Sequence, residues 1–166
     1  PRMPASRGCT GLPSVTVPEG ITYLGGAVFC NCTGLSSVSL PNSLEALGWD
    51  VFRGCDSLLS VTIPENVESI GDSAFYGCTA LRSVTLPEGL ISIDYSAFAD
   101  CWSLAAIDLP DSLENISGEA FSNCYNLRSV ALPESLAWLG SYAFENCDSL
   151  SAVTFPSNLK EIGWGA

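Results

Sequence analysis

Histidine is absent from the 166 residues, and lysine (Lys160) and methionine (Met3) occur once each. Without histidine the commonest general base and the commonest nitrogen ligand of zinc are missing. There is no G-x-S-x-G elbow, no glycine-rich phosphate loop and no cluster of metal-ligating residue types. Catalysis therefore finds no foothold, and neither a metal nor a cofactor is expected. Basic residues are scarce, with six Lys plus Arg against 18 Asp plus Glu and a net charge of −12. That balance repels phosphate backbones and anionic headgroups, which argues against nucleic acid and membrane surfaces as partners. No run approaches the roughly 18 apolar residues of a membrane span. No charged start leads into an apolar run, so a signal peptide is not expected within these residues.

What is present is repetition. Cys9, Cys32, Cys55, Cys78, Cys101, Cys124 and Cys147 stand 23 residues apart. Pro18, Pro41, Pro64, Pro87, Pro110, Pro133 and Pro156 keep the same step, and so do Phe29, Phe52, Phe75, Phe98, Phe121 and Phe144. A fixed period of this size indicates a solenoid or array. In the Cys78 unit the apolar columns are Leu81, Val84, Leu86, Leu90, Ile93, Ala97 and Phe98. One such unit has too few apolar groups to enclose a core, whereas stacked copies bury a continuous one.

Ser83 to Leu86 alternates polar and apolar residues, which predicts a strand with one buried face, stopped by the proline that follows. Gly25, Gly48, Gly71, Gly140 and Gly163 suggest a corner with positive φ, although Asp94 and Ser117 replace glycine in two units. The run from Asp72 to Cys78 is too short for a helix and reads as a turn, with at most one 3₁₀ turn.

The strand signature L-x-x-V-x-L, flanked by P-x-x-L-x-x-I-G-x-x-A-F-x-x-C, resembles the BspA-like (Treponema-type) leucine-rich repeats. The resemblance covers Cys9 to Ala166 and implies a right-handed solenoid with a parallel sheet on one face and short turns on the other. Seven coils are expected over 9–166, open at the C-terminal end, with 1–8 the remnant of a degenerate preceding unit. Neither end shows a polar cap, so both are expected to continue in further chain or to be covered by a partner. Family members are typically modular surface or secreted proteins that bind other proteins. The resemblance thus implies a non-catalytic protein-interaction module of an adhesion-type protein. A rigid subunit or spacer in a larger assembly is the alternative.

The cysteine column invites two readings. Neighbouring members one rung apart fall within the Cα separations of a disulfide, but parallel side-chain vectors bridge badly. A reduced, buried ladder is expected, with thiols packing as small hydrophobes. Cys30, outside the column, is expected at the surface, free or paired outside the chain. An acidic column follows the prolines (Glu19, Glu65, Glu88, Asp111 and Glu134). It lacks the D-x-D spacing of a calcium cage and reads as a solvated face.

Candidate contact residues come from two sets. Ser60, Thr62, Ser83 and Thr85 belong to hydroxyl columns on the strand face, a platform for a protein or, more distantly, a glycan. In pattern these columns resemble ice-binding arrays, but Asp108 and Ala131 interrupt the lattice. All four tryptophans lie outside the apolar columns, and Trp102 and Tyr125 share a position in consecutive units. Exposed aromatics are frequent interface anchors, so Trp102, Tyr125 and Trp138 mark a candidate docking patch. The same rings could instead lie flat on the coil and cover apolar stems. Asn31 and Asn115 head N-x-S/T sequons that permit a secreted life without arguing for it.

Overall fold

The computed structural model describes residues 8–166. The degenerate unit assigned to residues 1–8 therefore lies almost entirely outside the described residues. The chain winds as a parallel solenoid with a 23-residue step. Its strands are β1 (Ser14–Thr16), β2 (Tyr23–Leu24), β3 (Ser37–Ser39), β4 (Ala46–Leu47), β5 (Ser60–Thr62) and β6 (Ser69–Ile70). They continue as β7 (Ser83–Thr85), β8 (Ser92–Ile93), β9 (Asn115–Ile116), β10 (Trp138–Leu139) and β11 (Glu161–Ile162). β2, β4, β6, β8, β9, β10 and β11 are seven rungs at one position of the repeat, and they bound six full turns. The seven coils counted by cysteine are thus about six complete turns.

The architecture differs from a single sheet backed by turns. Two parallel strand columns run along the axis. The S-V-T strands form one, in which Ser60, Val61 and Thr62 of β5 stand beside Ser83, Val84 and Thr85 of β7. The other contains β6, β8, β9, β10 and β11 as one five-stranded sheet, with β2 and β4 paired separately. Two residues per rung are too few to show the alternation that marks a strand in sequence.

The third side, read from sequence as a turn, is also bonded from coil to coil. The N–H groups of Ser73, Phe75 and Gly77 donate to the carbonyls of Tyr95, Ala97 and Ala99, each at 2.8 Å. Two left-handed residues per coil aim these amides along the axis. One column holds Ala27, Asp50, Ser73, Ser96, Glu119, Tyr142 and Gly165; the other holds Asn31, Gly54, Gly77, Asp100, Asn123 and Asn146, with φ between 52° and 70° throughout. The second column consists of glycine, asparagine and aspartate, the residues that tolerate this conformation best.

The glycines expected at positive φ do not have it. Gly25, Gly48, Gly71, Gly140 and Gly163 adopt ordinary backbone angles, and four of them answer a different demand. A Cβ on Gly48 would stand 2.7 Å from the Gly26 nitrogen and 2.9 Å from the Gly25 carbonyl carbon. Cβ atoms on Gly140 and Gly163 would likewise strike the backbone of the preceding coil. Close approach of successive coils is what these positions require. Asp94 occupies the same column half-buried; burial chiefly, and then Asp72, raises its carboxyl pKa, while a hydrogen bond from Ser92 lowers it.

The core is a set of files. Phe29, Phe52, Phe75, Phe98, Phe121 and Phe144 stack with centroids 5.2–5.5 Å apart and planes within 16° of parallel. This is the offset arrangement that aromatic pairs prefer. Beside them, Cys32 to Cys147 are buried and free, while Cys9 is exposed. The Cys101 thiol donates to the Phe75 carbonyl at 3.2 Å, and Cys55, Cys78, Cys124 and Cys147 repeat the contact one coil apart. That same Phe75 carbonyl accepts the Cys78 N–H at 3.1 Å. Burial pushes the thiols of Cys55 and Cys147 up to about 12 and about 11, and those of Cys78, Cys101 and Cys124 well above the usual range. They are donors and filling, not nucleophiles. Cys30, expected at the surface, is also buried.

Three substitutions test this packing. Phe98→Ala should cost about 3–5 kcal/mol in chemical denaturation, with hydrogen exchange rising most in the coils on either side. Equal loosening along the whole array would contradict nearest-neighbour coupling. At Gly77, where an added Cβ meets nothing closer than 3.9 Å, alanine should cost about 1 kcal/mol from left-handed strain alone. Ser73→Gly should gain about 0.5–1 kcal/mol for the converse reason.

Candidate functional site

Each Cys-x-x-Leu step is a tight turn closed by the Leu N–H on the Cys carbonyl, at 3.1 Å for Leu104 and 2.9 Å for Leu127. The residue after the cysteine is pushed outward, and in two consecutive coils it is Trp102 and Tyr125. Asn126 Nδ2 donates to the Trp102 carbonyl at 2.7 Å, and the Ser103 hydroxyl to the Thr79 carbonyl at 2.7 Å, which pins these turns to one another. The two rings are 48% and 41% exposed. Their centroids lie 6.4 Å apart and their planes are tilted by 44°.

Other exposed aromatics sit differently. The Trp49 ring lies over Gly26 of the preceding coil, close enough that a Cβ there would be 2.5 Å from it. Tyr95 lies against Gly118 and Tyr142 over Gly165 in the same manner. Tyr95 also donates its hydroxyl to Glu119, which raises its pKa. These rings rest against a neighbouring coil where glycine makes the space, while remaining exposed themselves. No described glycine lies under Trp102 or Tyr125. Trp138, 45% exposed, belongs to β10 in the other strand column, between Asn115 and Glu161. The structure therefore brings Trp102 and Tyr125 together and places Trp138 elsewhere.

Ser60, Thr62, Ser83 and Thr85 are all exposed and in register on β5 and β7. Pairing in this column is interrupted. β1 pairs with β3 and β5 with β7, but the two pairs are separate sheets, and among the described residues only Ala106 and Ser129 are bridged beyond them. Shallow grooves of about 260, 260 and 210 Å³ open at the unpaired steps. The first is lined by Ser37, Ser60 and Thr62, the second by Thr85, Glu88 and Asp108. Each is smaller than the roughly 300–1,000 Å³ usual for a small-molecule pocket.

The acidic column does not converge. Glu19 accepts from the Asn42 N–H at 3.3 Å and Glu134 from the Ser157 hydroxyl at 2.8 Å. Among the described residues no group of three or more His, Cys, Asp or Glu is placed to hold a metal ion. No helix among them is long and apolar enough to cross a membrane. Of the two sequons, Asn31 stands in a left-handed turn, and Asn115 lies within β9 with its Oδ1 buried and unpartnered. Sequence reasoning passed over Arg82 and Arg128, which share one position in the repeat; the 23-residue alignment alone would have shown them.

The fold and repeat have known counterparts. A BspA type leucine rich repeat region matches in six copies, over residues 5–124 and 47–166. The chain is similar to a crystal structure of a leucine-rich repeat protein of T. pallidum, at 30% identity and a TM-score of 0.84, over 92% of this chain and 72% of that one. It is also similar to a leucine-rich repeat protein from Eubacterium ventriosum, at 26% identity and a TM-score of 0.84, over 97% of this chain but 43% of that one. The pneumococcal vaccine antigen PcpA shares the fold at 21% identity and a TM-score of 0.59, over 89% of this chain and 51% of its own. No curated protein matches. The match runs through every turn of the solenoid, and the chain belongs to the BspA-type leucine-rich repeat family.

Proposed function

We propose that the chain is a non-catalytic protein-binding module of a surface or secreted adhesion-type protein, and that Trp102 and Tyr125 anchor its partner. The observation that carries this reading is the pair of rings itself. They are exposed and adjacent, with no described glycine against either, whereas Trp49, Tyr95 and Tyr142 stand apart, each against a glycine of a neighbouring coil. Exposed aromatics of this kind carry a disproportionate share of interface energy. Membership of the repeat family supports a binding role, since a stacked array leaves its outer surface free for contact. The small, shallow grooves favour a macromolecule over a small ligand. The hydroxyls of Ser60, Thr62, Ser83 and Thr85 extend the contact face beyond the rings.

The test is retention of partner proteins on the immobilised chain, with bound material identified by mass spectrometry. Trp102→Ser with Tyr125→Ser should weaken a retained partner by about 2 kcal/mol or more. Trp49→Ser, which leaves the patch intact, should not. Equal retention by all three proteins would overturn the docking patch.

A further inference from the structure

The net charge of −12 makes the chain's few cations informative. Four of the six lie within the described residues: Arg53, Arg82, Arg128 and Lys160. Arg53 is engaged within the solenoid, 3.4 Å from Asp50 and 4.4 Å above the Tyr76 ring. Lys160 lies on the last coil. Arg82 and Arg128 are exposed and make no ion pair among the described residues. They occupy the same repeat position two coils apart, with Ala105 between them. At about 4.8 Å per rung their backbones are separated by roughly 10 Å. Each stands three residues beyond the column that holds Trp102 and Tyr125, Arg82 on the coil before Trp102 and Arg128 on the coil of Tyr125 itself.

We propose that this patch seats an acidic segment of the partner protein, with Arg82 and Arg128 holding its carboxylates along the column beside Trp102 and Tyr125. The proposal rests on the protein-binding reading above and adds the chemistry of the occupant. Charge complementarity carries it. A guanidinium is always charged and offers a planar fork that matches a carboxylate. Ala105 leaves the space between the two forks open. Carboxylates surround the patch: Asp56 and Asp148 stand in the aromatic column one coil before Thr79 and one coil beyond Tyr125, Asp108 lies three residues past Ala105, and Glu88, Asp111 and Glu134 follow the prolines on the far side of the strands. The acidic surroundings confine an acidic segment to the single edge that attracts it.

Fluorescence polarisation with labelled deca-glutamate tests this directly, with deca-lysine and an oligogalacturonate of similar length as the other arms. The parent chain should bind deca-glutamate, and Arg82→Ala with Arg128→Ala should weaken binding about tenfold. Arg82→Lys with Arg128→Lys should keep most of it, and salt at about 0.5 M should weaken the parent. Unchanged melting curves show that the variants fold, as exposed side chains allow. Absence of deca-glutamate binding, or equal binding by the alanine pair, overturns the proposal. Tighter binding of oligogalacturonate through the same arginines also overturns it, in favour of an acidic glycan. If Trp102→Ser with Tyr125→Ser releases a retained protein partner while the arginine pair has no effect, the protein-binding reading stands and the acidic occupant falls.

Discussion

The carbonyl oxygen of each column phenylalanine is the point on which the rest of the solenoid turns. Phe75 O accepts the N–H of Cys78, which closes its own turn, and the thiol of Cys101, which belongs to the next coil. Both lone pairs of a buried carbonyl are thereby satisfied, as a group removed from water requires. The ring of the same residue stacks between Phe52 and Phe98. Closure of one coil and adhesion to the next thus meet at a single residue. A valine in the cysteine column would fill similar space and leave that carbonyl one partner short. A serine would bring a hydroxyl into the same buried file, with the local cost of burying a stronger polar group.

Because the interior is committed to stacking, variation is left to the outside. The residues that differ between coils are those whose side chains point away from the files: Thr79, Trp102, Tyr125 and Asp148 at one position, Arg82, Ala105 and Arg128 at another. Such changes leave the stack intact, so a binding surface can be written onto the scaffold at little cost in stability. The aromatics show the limit of that freedom. Where a ring leans on the adjacent coil, a glycine there receives it, as Gly26 does for Trp49.

The 23-residue columns of cysteine, proline and phenylalanine made the solenoid, its inward faces and its parallel S-V-T strands legible in the sequence. The second strand column was not, because Ser92–Ile93 and its counterparts are too short for period-2 alternation to register. The glycine column was legible as a constraint but misread as to cause. Positive φ and close coil contact both select glycine, and only coordinates separate them. The left-handed positions were obscured at Ser73, Glu119 and Tyr142, where axial hydrogen bonds override local preference. Cys30 was placed outside because its column also holds Arg53 and Glu145, yet a small thiol fits where their long side chains reach outward. The proximity of Trp102 and Tyr125 followed from their shared position, whereas the separation of Trp138 depended on where the coil bends.

The central claim is that the thiols from Cys55 to Cys147 form one dry file along the axis, each bonded to the preceding coil. Differential alkylation of the native and denatured chain, with the labelled cysteines mapped by mass spectrometry, measures this directly. The account predicts that Cys9 reacts in the native protein while Cys55, Cys78, Cys101 and Cys124 react only after unfolding. Native labelling of those four at rates like that of Cys9, or disulfides between successive members of the column, would contradict it.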